Sequence, residues 1–218
     1  MSIIINGKYL LAPDGLKKDW GLEIEGSRIV KACPNDKLPV AHGCQVIDAR
    51  DKIVAPGFVN GHMHMYGVLS HGITANALVT EFSSFLEDFW WPYVEDRIDH
   101  DLVASTAKWA CVEMIRSGIT SFTDVLEGPN SIPGALDIEA EVIGRSGLRG
   151  FVSFEACQRK SEANAQAGLK ENTEFIKANN KKDRLVKGDT AIYDKLNVSA
   201  EVKDKIFSGN LLKFLGKA

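Results

Sequence analysis

His62 and His64 lie two residues apart at the end of Ala55-Pro56-Gly57-Phe58-Val59-Asn60-Gly61, a short and largely apolar run. Alternate residues of a strand project to the same side, so this spacing lets both imidazoles aim at one point. Two converging imidazoles can share a metal ion, and nitrogen ligands suit Zn, Fe or Ni. A catalytic site adds at least one more protein ligand and keeps a position for water. The bare H-x-H spacing also occurs without any metal, so the elements around it must decide.

Those elements come in two styles. Residues 1–56 read as short strands at 2–6, 21–25, 28–32, 46–48 and 53–55, broken by Asn6-Gly7, Pro13-Asp14-Gly15 and Glu25-Gly26. This predicts a small antiparallel, β-sandwich-like unit whose turns use glycine for positive φ. After Pro56-Gly57 strands alternate with long helical segments, the pattern of βα units on a parallel sheet. Strands are expected at 58–60, 119–124, 151–154 and 185–186, and helices at 80–94, 99–117, 135–146 and 164–179. Gly118 and Gly147 should stop the second and third helices. A last amphipathic helix is expected over 199–215, with Ser199 as its N-cap. The expected fold class is therefore α/β: a small β domain over 1–56, a partial TIM-type (β/α) barrel over 57–190 and a C-terminal helical segment over 191–218.

The chain has 218 residues, 44% hydrophobic and 25% charged, which suits a soluble globular protein with a sizeable core. A net charge of -3 and no stripe of Lys or Arg argue against a nucleic-acid partner. No run approaches the roughly 20 apolar residues of a membrane helix. Cys33, Cys44, Cys111 and Cys157 are widely spaced and form no C-x-x-C pair, so reduced thiols in a cytoplasm are expected. The Lys-rich stretch 177–187 reads as a solvated helix end and loop.

Asp48-Ala49 and the run from Ile53 through His62-Met63-His64 resemble the amidohydrolase superfamily, in its branch of aminohydrolases, deaminases and chlorohydrolases. Phe89-Trp90-Trp91, Ile115-Arg116-Ser117-Gly118-Ile119-Thr120-Ser121, Phe154-Glu155-Ala156 and Leu169-Lys170-Glu171-Asn172 are similar to stretches of SsnA-type aminohydrolases. The resemblance covers roughly residues 1–188, and its blocks occur in order. It implies a metal-dependent hydrolase with a divalent Zn or Fe ion, held in part by His62 and His64, that attacks an sp² carbon bearing an amino or halide leaving group. The activity implied is hydrolytic deamination, or other hydrolysis of a non-peptide C–N bond, on a small cyclic substrate.

The resemblance also implies later ligands: a His from the fifth barrel strand, often one from the sixth, an Asp from the eighth, and an acid/base Glu. The other histidines here are His42, His71 and His100, and none stands at a later strand end. A whole barrel takes about 250 residues, so strands five to eight are expected to be missing, through a deletion, a gene-model fault or a degenerate paralogue. The tail from Lys195 to Gly216 is similar to the closing helix of such chains. Two alternatives follow: a truncated or pseudoenzyme relative with an incomplete metal site, and a half-barrel completed by association with another chain, including a homo-oligomer.

For substrate contacts the candidates are Glu155, at the end of the third parallel strand; Glu95, similar in place to a substrate-contacting Glu of the deaminases; and His71, in the loop after the first strand. A solvated helix-end carboxylate is the competing reading for Glu95, and a solvent-facing loop histidine for His71. Asp124 could reach the metal's surroundings or cap a turn, and Asp189 in Gly188-Asp189-Thr190 reads first as a turn residue. Trp90, Trp91, Phe85 and Phe89 could wall a pocket for a planar ring, but aromatics at this spacing read first as core.

Overall fold

The computed structural model describes residues 2–39, 43–181 and 183–189, with 199 and 202; the expected C-terminal helix over 199–215 and His42 lie outside these apart from 199 and 202. The chain divides into two compact units, Met1–Gly57 and Phe58–Ala218. No helix among the described residues is long and apolar enough to cross a membrane.

The first unit is one five-stranded sheet, made of β1 (Ser2–Ala12), β2 (Gly15–Lys18), β3 (Trp20–Glu25), β4 (Arg28–Pro34) and β5 (Gln45–Val54). Strands β2, β1, β3 and β4 are neighbours in that order and pair antiparallel. β5 instead runs parallel to β1 and joins the two short strands expected at 46–48 and 53–55 into one. The described residues form this single sheet and supply no second layer for a sandwich. Its buried centre is small, built on Ile4, Cys33 and Leu38.

The second unit is a parallel sheet of β6 (Phe58–Met63), β7 (Ile119–Leu126), β8 (Arg149–Phe154) and β9 (Val186–Gly188), neighbours in chain order. Between successive strands run α1 (His100–Arg116), α2 (Ala135–Ser146) and α3 (Glu162–Asn179). A helix between each pair is what parallel pairing demands, and sequential order is that of a (β/α) barrel wall. β7 alternates: Phe122, Asp124 and Leu126 are buried, while the residues between them are only partly so. Phe122 and Leu126 join Val103, Ala107, Leu136, Ile143 and Val152 in the main core, the layer where sheet meets helices.

The helix ends follow from local chemistry. Asp99 Oδ1 accepts the Leu102 N–H at 2.9 Å and Ser161 Oγ the Asn164 N–H at 3.1 Å, N-caps of α1 and α3. Gly118 and Gly147 sit at φ +76° and +81°, the left-handed turn that ends α1 and α2. The Glu171-Asn172 pair on α3 ties three elements. Glu171 accepts the Gly134 and Leu136 N–H groups at the start of α2, at 2.9 and 3.0 Å. Asn172 accepts the Phe154 N–H at 2.9 Å and donates to the Phe154 carbonyl at 2.7 Å, so it completes the end of β8 as a strand neighbour would.

The helix expected over 80–94 is a broken run: one α-turn at Phe82–Ser84, a π-helical stretch at Phe85–Trp90 and a second turn at Trp91–Tyr93. Pro92 lacks the N–H that an unbroken α-helix would use there. Wider π turns are a common answer, and they recur at functional sites.

Candidate active site

β6, β7 and β8 run parallel, so their C-terminal ends gather at one edge of the sheet, where active sites of barrel enzymes form. His62 and His64 stand at the end of β6, Glu127 directly after β7 and Glu155 directly after β8. Pairing of β6 with β7 slips between Asn60 and Met63, and the Asn60 side chain takes up the freed His62 N–H at 3.2 Å. The strand end is thereby bent rather than carried on.

The two imidazoles meet edge to face, with ring centroids 4.9 Å apart. His62 is exposed and His64 half-buried. His64 Nδ1 lies 3.0 Å from the Val125 carbonyl, which can only accept, so the ring donates there and leaves Nε2 free. A carbonyl that holds the rear nitrogen is the usual support of a metal-binding imidazole. The two histidines thus fit two places of a divalent ion's donor set. Among the described residues the cluster of three donors lies instead beside them, in Glu95, Glu127 and Glu155, whose oxygens come within 4.8 Å of one another.

That trio closes one side of a cleft of about 410 Å³. Its other walls are His64, Tyr66, Phe85, Trp90 and Trp91. Phe85 stacks on Trp90 at 5.5 Å, and Trp90 Nε1 donates to the Tyr66 hydroxyl at 3.2 Å. Tyr66 in turn donates to Glu127 Oε2 at 2.7 Å. Burial, then the Glu127 carboxylate, pushes the Tyr66 phenol far above its usual range, so it remains a donor. Glu127 Oε1 is 3.6 Å from His64 Nδ1, too long for a hydrogen bond.

Glu95 is 1% exposed, which removes the solvated helix-end reading. Arg159 Nη2 donates to it at 2.9 Å, Arg159 Nη1 donates to Asp96 at 2.8 Å, and the guanidinium sits 4.9 Å from the Trp91 ring centre. Burial, then the Glu127 charge, pushes the Glu95 carboxyl up to about 8; Arg159 opposes this but does not overcome it. Glu155 is exposed and lines the cleft.

His71 is placed elsewhere: the turn Met65–Gly67 leads the chain aside, and His71 Nδ1 lies 3.1 Å from the Val68 carbonyl on the exposed surface. His100 bridges to the Ser131 carbonyl at 2.7 Å, away from the cleft. Asp124 does not reach the cleft either; its Oδ1 accepts the Met65 N–H at 2.7 Å inside the core. Trp90, Trp91 and Phe85 line the cleft, and Trp90 also packs against the main core as its spacing suggested.

Sequence reasoning passed over Tyr66, Glu127 and Arg159. Glu127 could have been found by the rule that singled out Glu155, since it directly follows a parallel strand. Tyr66 lies two residues beyond His64, but the strand period has ended there. Arg159 meets Glu95 from 64 residues away, and no local pattern signals that.

Comparison with known proteins agrees with the geometry. The Amidohydrolase family matches residues 53–208. Over 179 residues the chain is 32% identical to a 5'-deoxyadenosine deaminase of Methanosarcina acetivorans, covering 81% of this chain and 38% of that one. It is 31% identical over 171 residues to 5-methylthioadenosine/S-adenosylhomocysteine deaminase 2 of Archaeoglobus fulgidus, covering 78% and 35%. It thus spans under two fifths of the length of these curated relatives. Among solved structures, atrazine chlorohydrolase TrzN of Arthrobacter aurescens TC1, complexed with zinc, superposes at a TM-score of 0.71 and 17% identity over 99% of this chain and 58% of that one, a likeness of fold. With a family match that spans every strand and helix around the cleft, this chain belongs to the amidohydrolase family.

Proposed function

We propose that the chain carries the histidine-bearing part of a metal-dependent hydrolase that removes an amino group from a small cyclic substrate, releasing ammonia and leaving oxygen on the ring carbon. The observation that carries this reading is His64, oriented by the Val125 carbonyl, paired with His62 and facing an aromatic and acidic cleft. His62 and His64 would hold Zn or Fe through ring nitrogens, and such an ion supplies a water made nucleophilic near neutral pH.

The protein's own groups do the rest. Phe85 and Trp90 offer flat faces against which a planar heterocycle stacks. Glu155 and Glu127, at the cleft edge, accept N–H or O–H groups of the substrate and set its direction. Three acidic groups at one mouth, with no cation free of them among the described residues, favour a neutral, donor-rich or cationic molecule over an anionic one. The adenine-type substrates named for the two deaminase relatives fall in that class.

The test is metal content per chain of the purified full-length protein, beside a His62→Ala/His64→Ala double variant. Near-stoichiometric Zn or Fe, lost in the variant, is expected, followed by ammonia release from amino-substituted purine nucleosides. Metal-free wild type would overturn the reading and leave a relative that keeps the motif without its chemistry.

A second reading has its own observation. Among the described residues β6 is an edge of the four-stranded sheet, and its Phe58 and Val59 are 66% and 74% exposed. An apolar edge strand invites pairing, so the site would be completed by association with another chain. Light scattering on the purified chain decides it: a stable oligomer that binds metal supports the reading, and a metal-loaded monomer removes it.

A further inference from the structure

Two carboxyl groups lie buried beneath the strand that leads to the site, and the chemistry above does not use them. Asp124 on β7 is 0% exposed and Glu139 on α2 is 1% exposed. Asp124 Oδ1 accepts the Met65 N–H, which follows His64 directly. Asp124 Oδ2 and Glu139 Oε2 are both fully buried, and among the described residues neither has a conventional donor. Each of the two carboxyls acts directly on the other. Two carboxylates cannot share a dry contact while both are ionised, so one proton must lie between them.

The geometry points to Glu139 as the group that carries this proton, and to the Glu139–Asp124 pair as the positioning device that holds the backbone at Met65 and with it the His62-Met63-His64 strand end. Burial raises both carboxyls above their usual range, but the Met65 N–H, with His64 nearby, offsets this at Asp124, so Asp124 is the better anion of the two and Glu139 the neutral acid. The other titratable groups facing the pair are Cys111 on α1 and Glu127 after β7, and neither brings a positive charge. Glu139 therefore donates its O–H to Asp124 Oδ2, and Asp124 Oδ1 is left to grip Met65. A neutral Gln at 139 keeps a donor for Asp124, while a Leu of similar bulk removes it.

The bearing on metal binding rests on the function proposed above; the proton and its hold on Met65 do not. Infrared difference spectra of wild type minus Glu139→Gln at neutral pH should show a carboxylic-acid band lost in the variant. Amide exchange at Met65 should speed at least tenfold in Glu139→Leu and stay near the wild-type rate in Glu139→Gln. Zn affinity of the full chain should fall about 10- to 100-fold in Glu139→Leu and be restored by Gln. If Glu139→Leu does not fold, the infrared spectrum and the Gln variant still decide. No acid band lost, or fast Met65 exchange in a folded Gln variant, would overturn the pair. A wild type that binds no Zn but shows the band and the Met65 protection would leave the pair standing and remove the proposed function instead.

Discussion

Five carboxyl groups cluster in the second unit, and the two clusters differ in which groups meet them. Glu95, Glu127 and Glu155 converge at the cleft and are met from outside by Arg159 and Tyr66. Asp124 and Glu139 are sealed in the layer between sheet and helices and face each other. The residue type is the same; access to donors differs. At the cleft a cation and a hydroxyl reach the acids and orient them towards a ligand, although burial still leads Glu95 to hold its proton up to about pH 8. In the core, where no cation reaches them among the described residues, the two share a proton and serve as a fixed joint. Strand β7 makes this division possible, since Asp124 lies on its buried face and Glu127 emerges past its end.

The sharpest break of this contrast removes the proton donor of the sealed pair. Glu139→Leu leaves Asp124 charged and half-partnered in the core, so the second unit should lose about 3 kcal/mol in urea unfolding, against about 1 kcal/mol or less for Glu139→Gln. Arg159→Ala tests the open cluster in the same way: Glu95 and Asp96 lose a shared cation that is itself largely covered. A loss of about 2 kcal/mol is expected, smaller because Asp96 keeps Lys160 as a second cation.

Glu95 should also write itself into the pH dependence of stability. Its folded pKa is raised from the ordinary 4.5 to about 8, so between these values the folded state binds the extra proton. Stability should therefore fall as pH rises through that window, and Glu95→Gln should flatten the slope, read from urea midpoints at several pH values. Unchanged slopes in the variant would show that Glu95 ionises freely. Tyr66→Phe is the smallest step. It removes the donor to Glu127 and the acceptor of Trp90, for about 1 kcal/mol in unfolding and weaker ligand binding at the cleft.

The sequence was most legible where a pattern is local. The H-x-H pair, the helices over 99–117 and 135–146 and the glycines that end them depend on spacing and on backbone freedom, both visible in the chain. The interrupted run at 80–94 was less so, because its π turn answers to Pro92 and to aromatic stacking together. Trp90 and Trp91 read as core by periodicity; Trp90 does pack against the core, and both also line the cleft. The parallel partner of β1 was also hidden, since parallel pairing joins segments about 40 residues apart and leaves no turn signature between them.

By itself the sequence determined which side chains could bind a metal, the alternation of strand and helix, and the family those blocks resemble. Only the tertiary structure decided that Glu127 and Tyr66 stand beside His64, that Arg159 covers Glu95, and that Asp124 turns inward to Glu139. Metal-binding spacing is set within one strand, whereas the state of a carboxyl group depends on what the rest of the fold places within a few ångströms of it.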